Sequence, residues 1–172
     1  MSGAGAHQDH PTPDQMAEAF EARADSRDLV IGVIGLGYVG LPLAEGFLGK
    51  GFRVLAYDPD AAKIAALRDG RSYIKHISDD RVAAMGATGR LEATTDEARL
   101  ADADALLMCV PTPLNVHREP DLSFVADCAR TISRHRPEVR RRLRHRLQPR
   151  AGRPRQSRLR SHHHPQGGGR RY

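Results

Sequence analysis

Six consecutive residues have types and spacing that suit them to hold a phosphate group. They form a GxGxxG pattern, written out as Gly35-Leu36-Gly37-Tyr38-Val39-Gly40. Gly35 suits a tight turn, Gly37 lets the backbone approach a diphosphate, and Gly40 lets a following helix pack closely on the preceding strand. The free N–H groups at the start of that helix would hold the anion. The spacing alone also fits glycines that serve only a tight strand-to-helix turn.

An acidic residue in the next segment indicates what else this site binds. Asp58 directly follows the apolar run FRVLAY, about 20 residues beyond the glycines, where an acidic side chain accepts hydrogen bonds from the hydroxyl groups of an adenosine ribose. A 2′-phosphate at that place would meet a like charge. The sequence therefore predicts NAD rather than NADP as the cofactor. Asp58 also fits the N-cap position of a helix that starts near Pro59.

Strand and helix patterns alternate around these residues. Apolar runs typical of buried strands cover residues 29–35, 52–57, 91–94 and 104–110. Helical patterns begin at residues 41, 59, 79, 96 and about 122. This alternation predicts an α/β fold with a Rossmann-like, doubly wound parallel sheet. The apolar segments stop at His135, so we expect an incomplete sheet of about four strands.

The charge of the chain is divided unevenly along its length. The protein has 172 residues and a formal net charge of +6, yet residues 136–172 contain thirteen arginines and one glutamate. The rest of the chain contains 14 basic and 20 acidic residues. We therefore predict an acidic domain at residues 29–135 and a disordered, arginine-rich tail at residues 136–172. Residues 1–28 are rich in Gly, Ala, His and Pro and are predicted to be a mobile extension.

Several classes of protein do not fit this composition. The sequence contains no apolar run of the roughly 18 residues that cross a bilayer, and the N-terminus lacks the basic start and apolar centre of a secretory signal. We expect a cytoplasmic protein with no membrane partner. Cys109 and Cys128 have neither metal-ligand spacing nor the density of a disulfide scaffold, so they are predicted to be inert core thiols. No metal site is predicted, because three adjacent histidines at residues 162–164 make only a weak one.

Five short motifs occur in an order that resembles a known family. They are GLGYVGLPLA at residues 35–44, YDPDAAKIAALRDG at 57–70, ATTD at 93–96, VPTPL at 110–114 and EPDLS at 119–123. Over residues 29–135 the chain resembles the NAD-binding half of the UDP-glucose/GDP-mannose dehydrogenase family. The segments VPTPL and HREPDL are most similar to its branch that acts on UDP-N-acetylhexosamines, such as UDP-N-acetylglucosamine or UDP-N-acetylmannosamine.

This resemblance implies roles for individual residues at the cofactor. Tyr38 and Val39 would line the pyrophosphate turn, and Asp58 and Lys63 would bind the adenosine ribose. From its spacing alone, Lys63 also fits a solvent-facing helix lysine. The candidate cofactor-binding residues are Gly35, Leu36, Gly37, Tyr38, Val39, Gly40, Asp58, Lys63, Thr94, Pro111 and Thr112.

The remaining candidates lie after the third and fourth predicted strands. The resemblance places Thr94 near the adenosine, and Pro111 with Thr112 in the cofactor cleft beyond the fourth strand. Ligands of open α/β sheets bind outside the carboxyl ends of the strands, which agrees with the placement of Pro111 and Thr112. Thr94 fits equally well as an ordinary residue at a strand end.

The resemblance also implies a reaction. Members of the family oxidise the C6 alcohol of a UDP-sugar twice, through an aldehyde held as a thiohemiacetal, and reduce two NAD molecules. Their cysteine nucleophile and lysine lie in the second half of the chain, and the full-length enzymes are homodimers. Neither Cys109 nor Cys128 matches that nucleophile, so we assign no catalytic residue.

The arginine-rich tail leaves three functional classes open. Family members continue after the helix near His135 with an apolar strand, where this chain has arginines. We interpret the tail as an out-of-frame product of a GC-rich gene, which would make the chain a truncated and inactive dehydrogenase fragment. The alternatives are a non-catalytic NAD-binding module and a nucleic-acid-binding protein. Nucleic acid is the less favoured partner, because the tail lacks interleaved aromatic residues and a recognisable fold.

Overall fold

The computed structural model describes residues 12–114 and 118–147, and for residues 136–147 it describes the backbone only. Four strands alternate with helices along the chain. The strands are β1 (Val30–Ile34), β2 (Arg53–Tyr57), β3 (Leu91–Thr94) and β4 (Ala105–Met108). The helices are α1 (Pro13–Asp25), α2 (Gly40–Gly49), α3 (Ala61–Arg68), α4 (Asp79–Ala87) and α5 (Ser123–Leu147), with a 3-10 helix at Glu97–Asp102.

The strands form one parallel sheet in the order β3-β2-β1-β4. In the registers, Ile31 of β1 lies opposite Val54 of β2 on one side and Ala105 of β4 on the other. The chain first builds outward from β1 to β3 and then returns to the free side of β1. This reversal creates a crevice at the carboxyl ends of β1 and β4, which is where open α/β sheets bind ligands. The predicted Rossmann-like fold is confirmed.

Both faces of the sheet are covered, because alternate strand residues point to opposite sides. On one face Val33 and Ala56 belong to an apolar core with the buried residues of α2, α3 and α4. On the other face Ile34 packs with Leu100 of the 3-10 helix and Cys128 of α5. Helices on both faces explain why the central strands are nearly continuous apolar runs. The sheet is therefore doubly wound.

Helix α1 lies within residues 1–28, the segment that we predicted to be a mobile extension. Thr12 and Gln15 form a capping box, in which each side chain bonds the backbone N–H of the other. At the other end Arg23 forms an ion pair with Asp104 at 2.7 Å. Phe20 also packs against the core. These contacts fasten the helix to the sheet, whereas residues 1–11 of the predicted extension lie outside the described residues.

Helix α5 likewise continues past His135, where we predicted a disordered tail to begin. The backbone of residues 136–147 is helical and the helix ends at Leu147, whereas residues 148–172 of the predicted tail lie outside the described part of the chain. Arginine is a strong helix former, so a change from apolar to basic residues does not in itself end a helix. None of the described helices combines the length and apolar character that crossing a bilayer requires.

Candidate functional site

The turn between β1 and α2 can be built only with glycines at two of its positions. Gly35 has a φ of +89°, a conformation that side chains disfavour, and a Cβ there would lie 2.7 Å from the carbonyl oxygen of Cys109. A Cβ on Gly40 would lie 1.8 Å from the carbonyl oxygen of Gly35. Both glycines are therefore required by the close approach of β1, α2 and the end of β4.

The fold itself does not require a glycine at position 37. A Cβ on Gly37 would meet no protein atom within 4 Å, as is also true of four glycines elsewhere in the described chain. The space at Gly37 differs in its place, because it lies at the middle of the turn, where a bound diphosphate approaches the backbone in dinucleotide-binding folds. The turn therefore leaves room for a ligand.

The start of helix α2 indicates more directly that the turn suits an anion. Its N-cap residue, Val39, makes no side-chain capping bond, and the first turn contains no acidic residue. A helix start presents unpaired N–H groups and a partial positive charge, which an anion can satisfy. Tyr38 and Val39 are 76% and 53% exposed. The two side chains therefore flank the helix start on the solvent side, at the turn where we predicted them to be.

Asp58 lies at the carboxyl end of β2 and is joined directly to this turn. Its side chain is 5% exposed and accepts hydrogen bonds from the N–H of Leu36 at 2.8 Å and of Asp60 at 3.0 Å. Lys63 donates a third bond at 2.9 Å. Burial disfavours the charged carboxylate, but these three bonds outweigh it, and the pKa of Asp58 lies below its ordinary value. The group is therefore a carboxylate at neutral pH.

These contacts decide between two readings of the sequence. The N-cap of α3 is Asp60, whose side chain accepts a bond from the N–H of Ala62 at 2.9 Å, so the alternative role of Asp58 as helix cap is wrong. The Lys63 side chain is 31% exposed and contacts Asp58. It is therefore a partner of the carboxylate rather than a lysine that only faces solvent.

A cleft of about 400 Å³ opens beside Asp58, between the ends of β1 and β2 and helix α5. Four of the predicted residues line it together, namely Gly35, Asp58, Lys63 and Pro111. Several residues that the sequence did not single out complete its walls, among them Tyr57, Asp60, Phe124, Asp127, Cys128 and Thr131. The cleft is thus continuous with the glycine turn and carries one buried carboxylate.

The residues from α5 are the main part of the site that sequence reasoning missed. Phe124, Asp127, Cys128 and Thr131 recur at helical spacing and line one wall of the cleft. That spacing was the available signal, because residues three and four apart share a helix face. The sequence analysis recognised a helical pattern from about residue 122 but assigned none of these four residues to the cofactor.

Seven predicted residues do not line the cleft: Gly37, Tyr38, Val39 and Gly40 of the turn, and Leu36, Thr94 and Thr112. The Leu36 side chain is fully buried and its N–H is engaged by Asp58, so only its carbonyl group and position contribute to the turn. Thr94 is 8% exposed, and its hydroxyl accepts a bond from the N–H of Asp96 at 3.0 Å. Thr112 is exposed beyond β4. The site therefore centres on the turn, Asp58 and Lys63.

The two cysteines are free thiols within the fold. Cys128 is buried between α5 and the sheet, and Cys109 packs beside the glycine turn. Burial raises the pKa of both thiols, so both are protonated and weakly nucleophilic at neutral pH. This agrees with their interpretation as core residues.

Comparisons with known proteins agree with this geometry. A family model described as "UDP-glucose/GDP-mannose dehydrogenase family, NAD binding domain" matches residues 29–140. A UDP-N-acetyl-D-mannosamine dehydrogenase of Yersinia pestis is 36% identical over 104 residues, which cover 60% of this chain and 24% of that protein. A UDP-N-acetyl-D-glucosamine 6-dehydrogenase of Pseudomonas aeruginosa is 34% identical over 108 residues, covering 63% and 25%.

Solved structures give the same result. A UDP-glucose dehydrogenase from Pyrobaculum islandicum superimposes with a TM-score of 0.61 at 31% identity, over 64% of this chain and 26% of that one. A ternary complex of GDP-mannose dehydrogenase from Pseudomonas aeruginosa gives a TM-score of 0.58 at 31% identity, covering 61% and 24%. The chain spans about a quarter of the length of the curated relatives it matches. With its glycine turn, its carboxylate and these matches, the chain belongs to the UDP-glucose/GDP-mannose dehydrogenase family and contains the NAD binding domain of that family.

Proposed function

We propose that this chain binds the adenosine diphosphate end of NAD and serves as the cofactor-binding part of a dehydrogenase that oxidises the C6 alcohol of a UDP-N-acetylhexosamine. The observation that carries the proposal is the position of Asp58. Its buried carboxylate is bonded to the glycine turn through the N–H of Leu36 and faces the cleft. Ribose and diphosphate are neighbouring groups of one dinucleotide, so a joined carboxylate and anion-binding turn match that ligand.

Each part of the cofactor has a complementary group in the chain. The start of α2 and the open space at Gly37 would hold the diphosphate. Asp58 and Lys63 would together bind the two ribose hydroxyls, with the carboxylate as acceptor and the ammonium as donor. The residues of α5 that line the cleft would enclose the adenosine. Pro111 would border the path toward the nicotinamide end.

The reaction is proposed from the family and its relatives. NAD, when bound, supplies the acceptor for a hydride. The residues of this chain bind and orient the cofactor, and we assign none of them to acid-base or covalent work. Relatives that act on UDP-N-acetyl-D-mannosamine and UDP-N-acetyl-D-glucosamine support a UDP-N-acetylhexosamine as the substrate.

A calorimetric titration with NAD, NADP and ADP-ribose tests the binding proposal. We expect NAD and ADP-ribose to bind the 172-residue chain with similar affinity, because the described site contacts the half that they share. NADP should bind at least about tenfold more weakly, since its 2′-phosphate meets the carboxylate of Asp58. NADP binding as tight as NAD binding would contradict the role of Asp58.

A domain exchange tests the reaction. Residues 29–140 of this chain would replace the matching segment of the Pseudomonas aeruginosa UDP-N-acetyl-D-glucosamine 6-dehydrogenase. We expect the hybrid to reduce NAD in the presence of UDP-N-acetyl-D-glucosamine, because the catalytic groups come from the relative. A well-folded hybrid that binds NAD without turnover would favour a non-catalytic NAD-binding module.

Location and assembly are also proposals. Cys109 and Cys128 are free thiols, which are usual in the reducing cytoplasm, so we propose a cytoplasmic protein. The family resemblance supports homodimers of the longer enzyme. We propose no role in binding nucleic acid, because the arginine-rich tail lacks interleaved aromatic residues and a recognisable fold.

A further inference from the structure

The peptide group that joins Leu36 to Gly37, at the centre of the glycine turn, is held by a hydrogen bond from a residue outside the GxGxxG motif. The hydroxyl of Tyr73 donates a hydrogen bond to the carbonyl oxygen of Leu36 at 2.7 Å. The N–H of Leu36 is bonded to Asp58 at 2.8 Å, and its side chain is fully buried. The N–H, the carbonyl oxygen and the side chain of Leu36 are therefore each held by a specific contact. Together these contacts fix the orientation of the turn at this residue.

The geometry of the peptide bond makes this contact relevant to the ligand. The carbonyl of Leu36 and the N–H of Gly37 belong to one planar trans peptide, so they point in opposite directions. A donor that fixes the carbonyl also fixes the direction of the Gly37 N–H. Gly37 borders the open space in which no protein atom lies within 4 Å of an added Cβ. The bond from Tyr73 thus fixes the direction of an N–H donor in the turn that we propose binds the diphosphate.

Tyr73 is suited to remain a donor. Its ring packs against the apolar core that includes Leu36 and Leu41. Burial raises the pKa of its hydroxyl, and the nearby carboxylates of Asp58 and Asp60 raise it further. The hydroxyl therefore keeps its proton across the physiological range, and the hydrogen bond to the turn does not titrate there.

A second contact ties the same segment to helix α2. Tyr73 lies in the connection between α3 and α4, where Arg81 of α4 bonds the carbonyl of His76 at 3.1 Å. Arg81 also forms a two-bond ion pair with Glu45 of α2, at 2.9 and 2.5 Å. The connection therefore contacts the turn before α2 through Tyr73, and Arg81 links it to the body of α2. The turn and the start of α2 present the N–H groups that an anion could bind, and the Arg81–Glu45 pair holds the helix to which they belong.

We propose that the α3–α4 connection is a brace that sets the diphosphate-binding turn, with Tyr73 as its positioning residue and the Arg81–Glu45 pair as a second anchor. The inference rests on the proposed binding of NAD. It assigns to Tyr73 a role that differs from core packing, because packing needs only the ring, whereas positioning needs the hydroxyl.

The test compares Tyr73→Phe with three ligands: NAD, ADP-ribose and adenosine. NAD and ADP-ribose contain the diphosphate, whereas adenosine reaches only the Asp58 side of the cleft. Loss of one hydrogen bond should weaken NAD and ADP-ribose binding about threefold to tenfold and leave adenosine binding within about twofold. Titration of the full chain by calorimetry gives all three affinities.

Two further variants make the test specific. Thr88→Val is the matched control, because its hydroxyl also donates a 2.7 Å bond to a backbone carbonyl, that of Met85, away from the turn. It should leave the affinity for all three ligands unchanged. Glu45→Ala removes the second anchor, which is the exposed ion pair with Arg81. It should weaken the binding of NAD and ADP-ribose about twofold, again without affecting the binding of adenosine. This variant decides the question if Tyr73→Phe does not fold.

The outcomes separate the brace from the proposed function. A selective loss of diphosphate ligands in Tyr73→Phe supports the brace. Unchanged NAD affinity, or an equal loss of adenosine and NAD, overturns it while leaving NAD binding by the unmodified chain intact. If the unmodified chain binds neither NAD nor ADP-ribose, the proposed function fails and the brace fails with it.

Discussion

Two buried carboxylates lie at opposite ends of the sheet and have nearly the same surroundings. Asp58 follows β2 at the carboxyl end, and Asp104 precedes β4 at the amino end. Their side chains are 5% and 1% exposed. Asp58 accepts the N–H of Leu36, just after β1, and Asp104 accepts the N–H of Val30, at its start. Each is paired with one basic side chain from a helix.

The two carboxylates differ in their basic partner and in the surroundings of that partner. Arg23 holds both oxygens of Asp104, at 2.9 and 2.7 Å, and is itself only 14% exposed. Lys63 holds one oxygen of Asp58, is 31% exposed and borders a cleft of about 400 Å³. The planar guanidinium of an arginine bonds both oxygens of a carboxylate at once. The ammonium of a lysine bonds one oxygen and leaves room at the carboxylate for another donor. The two carboxylates therefore differ in access and partner geometry rather than in burial, and this difference supports our proposal that Asp58 is the one that binds a ligand.

The largest expected effect comes from breaking the structural pair. Arg23→Met leaves the carboxylate of Asp104 buried without its guanidinium, and such a change should lower the free energy of unfolding by about 3 to 5 kcal/mol. Urea denaturation followed by circular dichroism measures the loss. The affinity of the folded fraction for NAD should not change, because Arg23 lies at the opposite end of the sheet.

An exposed arginine provides the control for that prediction. Arg53 pairs with Asp28 at 3.4 Å, and the two side chains are 54% and 63% exposed. Arg53→Met should therefore cost at most about 1 kcal/mol of stability. Equal losses for the Arg23 and Arg53 variants would show that the Asp104 pair is not the anchor of α1.

The second largest effect is expected at Asp58, the carboxylate that we propose binds the ribose. Asp58→Asn removes the charge that would accept the ribose hydroxyls, so NAD affinity should fall about tenfold to a hundredfold, equivalent to about 1.5 to 3 kcal/mol. NADP should lose less, because Lys63 is then released to meet its 2′-phosphate. Calorimetric titration with both cofactors measures the change in their ratio.

Asp69→Asn is the matched control for Asp58→Asn, since Asp69 is an exposed acid paired with Arg71. It should leave both affinities unchanged. An Asp58→Asn variant that loses NAD and NADP affinity to the same extent would mean that the carboxylate supports the turn without choosing between the cofactors.

The contrast also explains which features could be predicted from the sequence. Asp58 was found because it follows an apolar strand at a set distance from the glycines, and both signals are local. The pair of Arg23 and Asp104 was missed because its members are 81 positions apart. The capping residues Thr12 and Gln15 were a readable signal for α1, yet the scarcity of apolar residues concealed what holds the helix in place.

The residues that line the cleft show the same limit of prediction from the sequence. Strand order and the glycine turn followed from alternating apolar runs, whereas the wall formed by Phe124 and Thr131 depends on how α5 is rotated against the sheet. That rotation is set by the packing of Cys128 and Ile132 on Ile34 and Leu100. Such contacts join distant parts of the chain, and helical periodicity alone does not identify the face that they select.

Two glycines, Gly37 in the turn and Gly32 in β1, allow a similar comparison between a position near the proposed ligand and a position in the core. A Cβ on Gly37 would meet nothing within 4 Å, whereas a Cβ on Gly32 would lie 2.5 Å from a side-chain carbon of Leu106 and 2.9 Å from the Cβ of Ala103. Gly37→Ala should therefore weaken NAD binding about tenfold, or about 1.4 kcal/mol, with little effect on stability. Gly32→Ala should do the opposite and cost about 1 to 3 kcal/mol of unfolding free energy. Thermal unfolding and calorimetry on both variants check this, and loss of stability in Gly37→Ala would show that its space belongs to the fold.

The smallest effect is expected in acid, where the carboxylate of Asp58 becomes protonated. The pKa of Asp58 is lowered from its ordinary value of 3.8, so its ionised form stabilises the fold above about pH 4, and this contribution is lost as the pH falls through the folded-state pKa. The stability difference between the unmodified chain and Asp58→Asn should therefore be constant from pH 5 to 7 and shrink below about pH 4. Urea denaturation at a series of pH values measures it, and a difference that widened as the pH fell would mean that burial, rather than the bonds from Leu36, Asp60 and Lys63, controls the charge of Asp58.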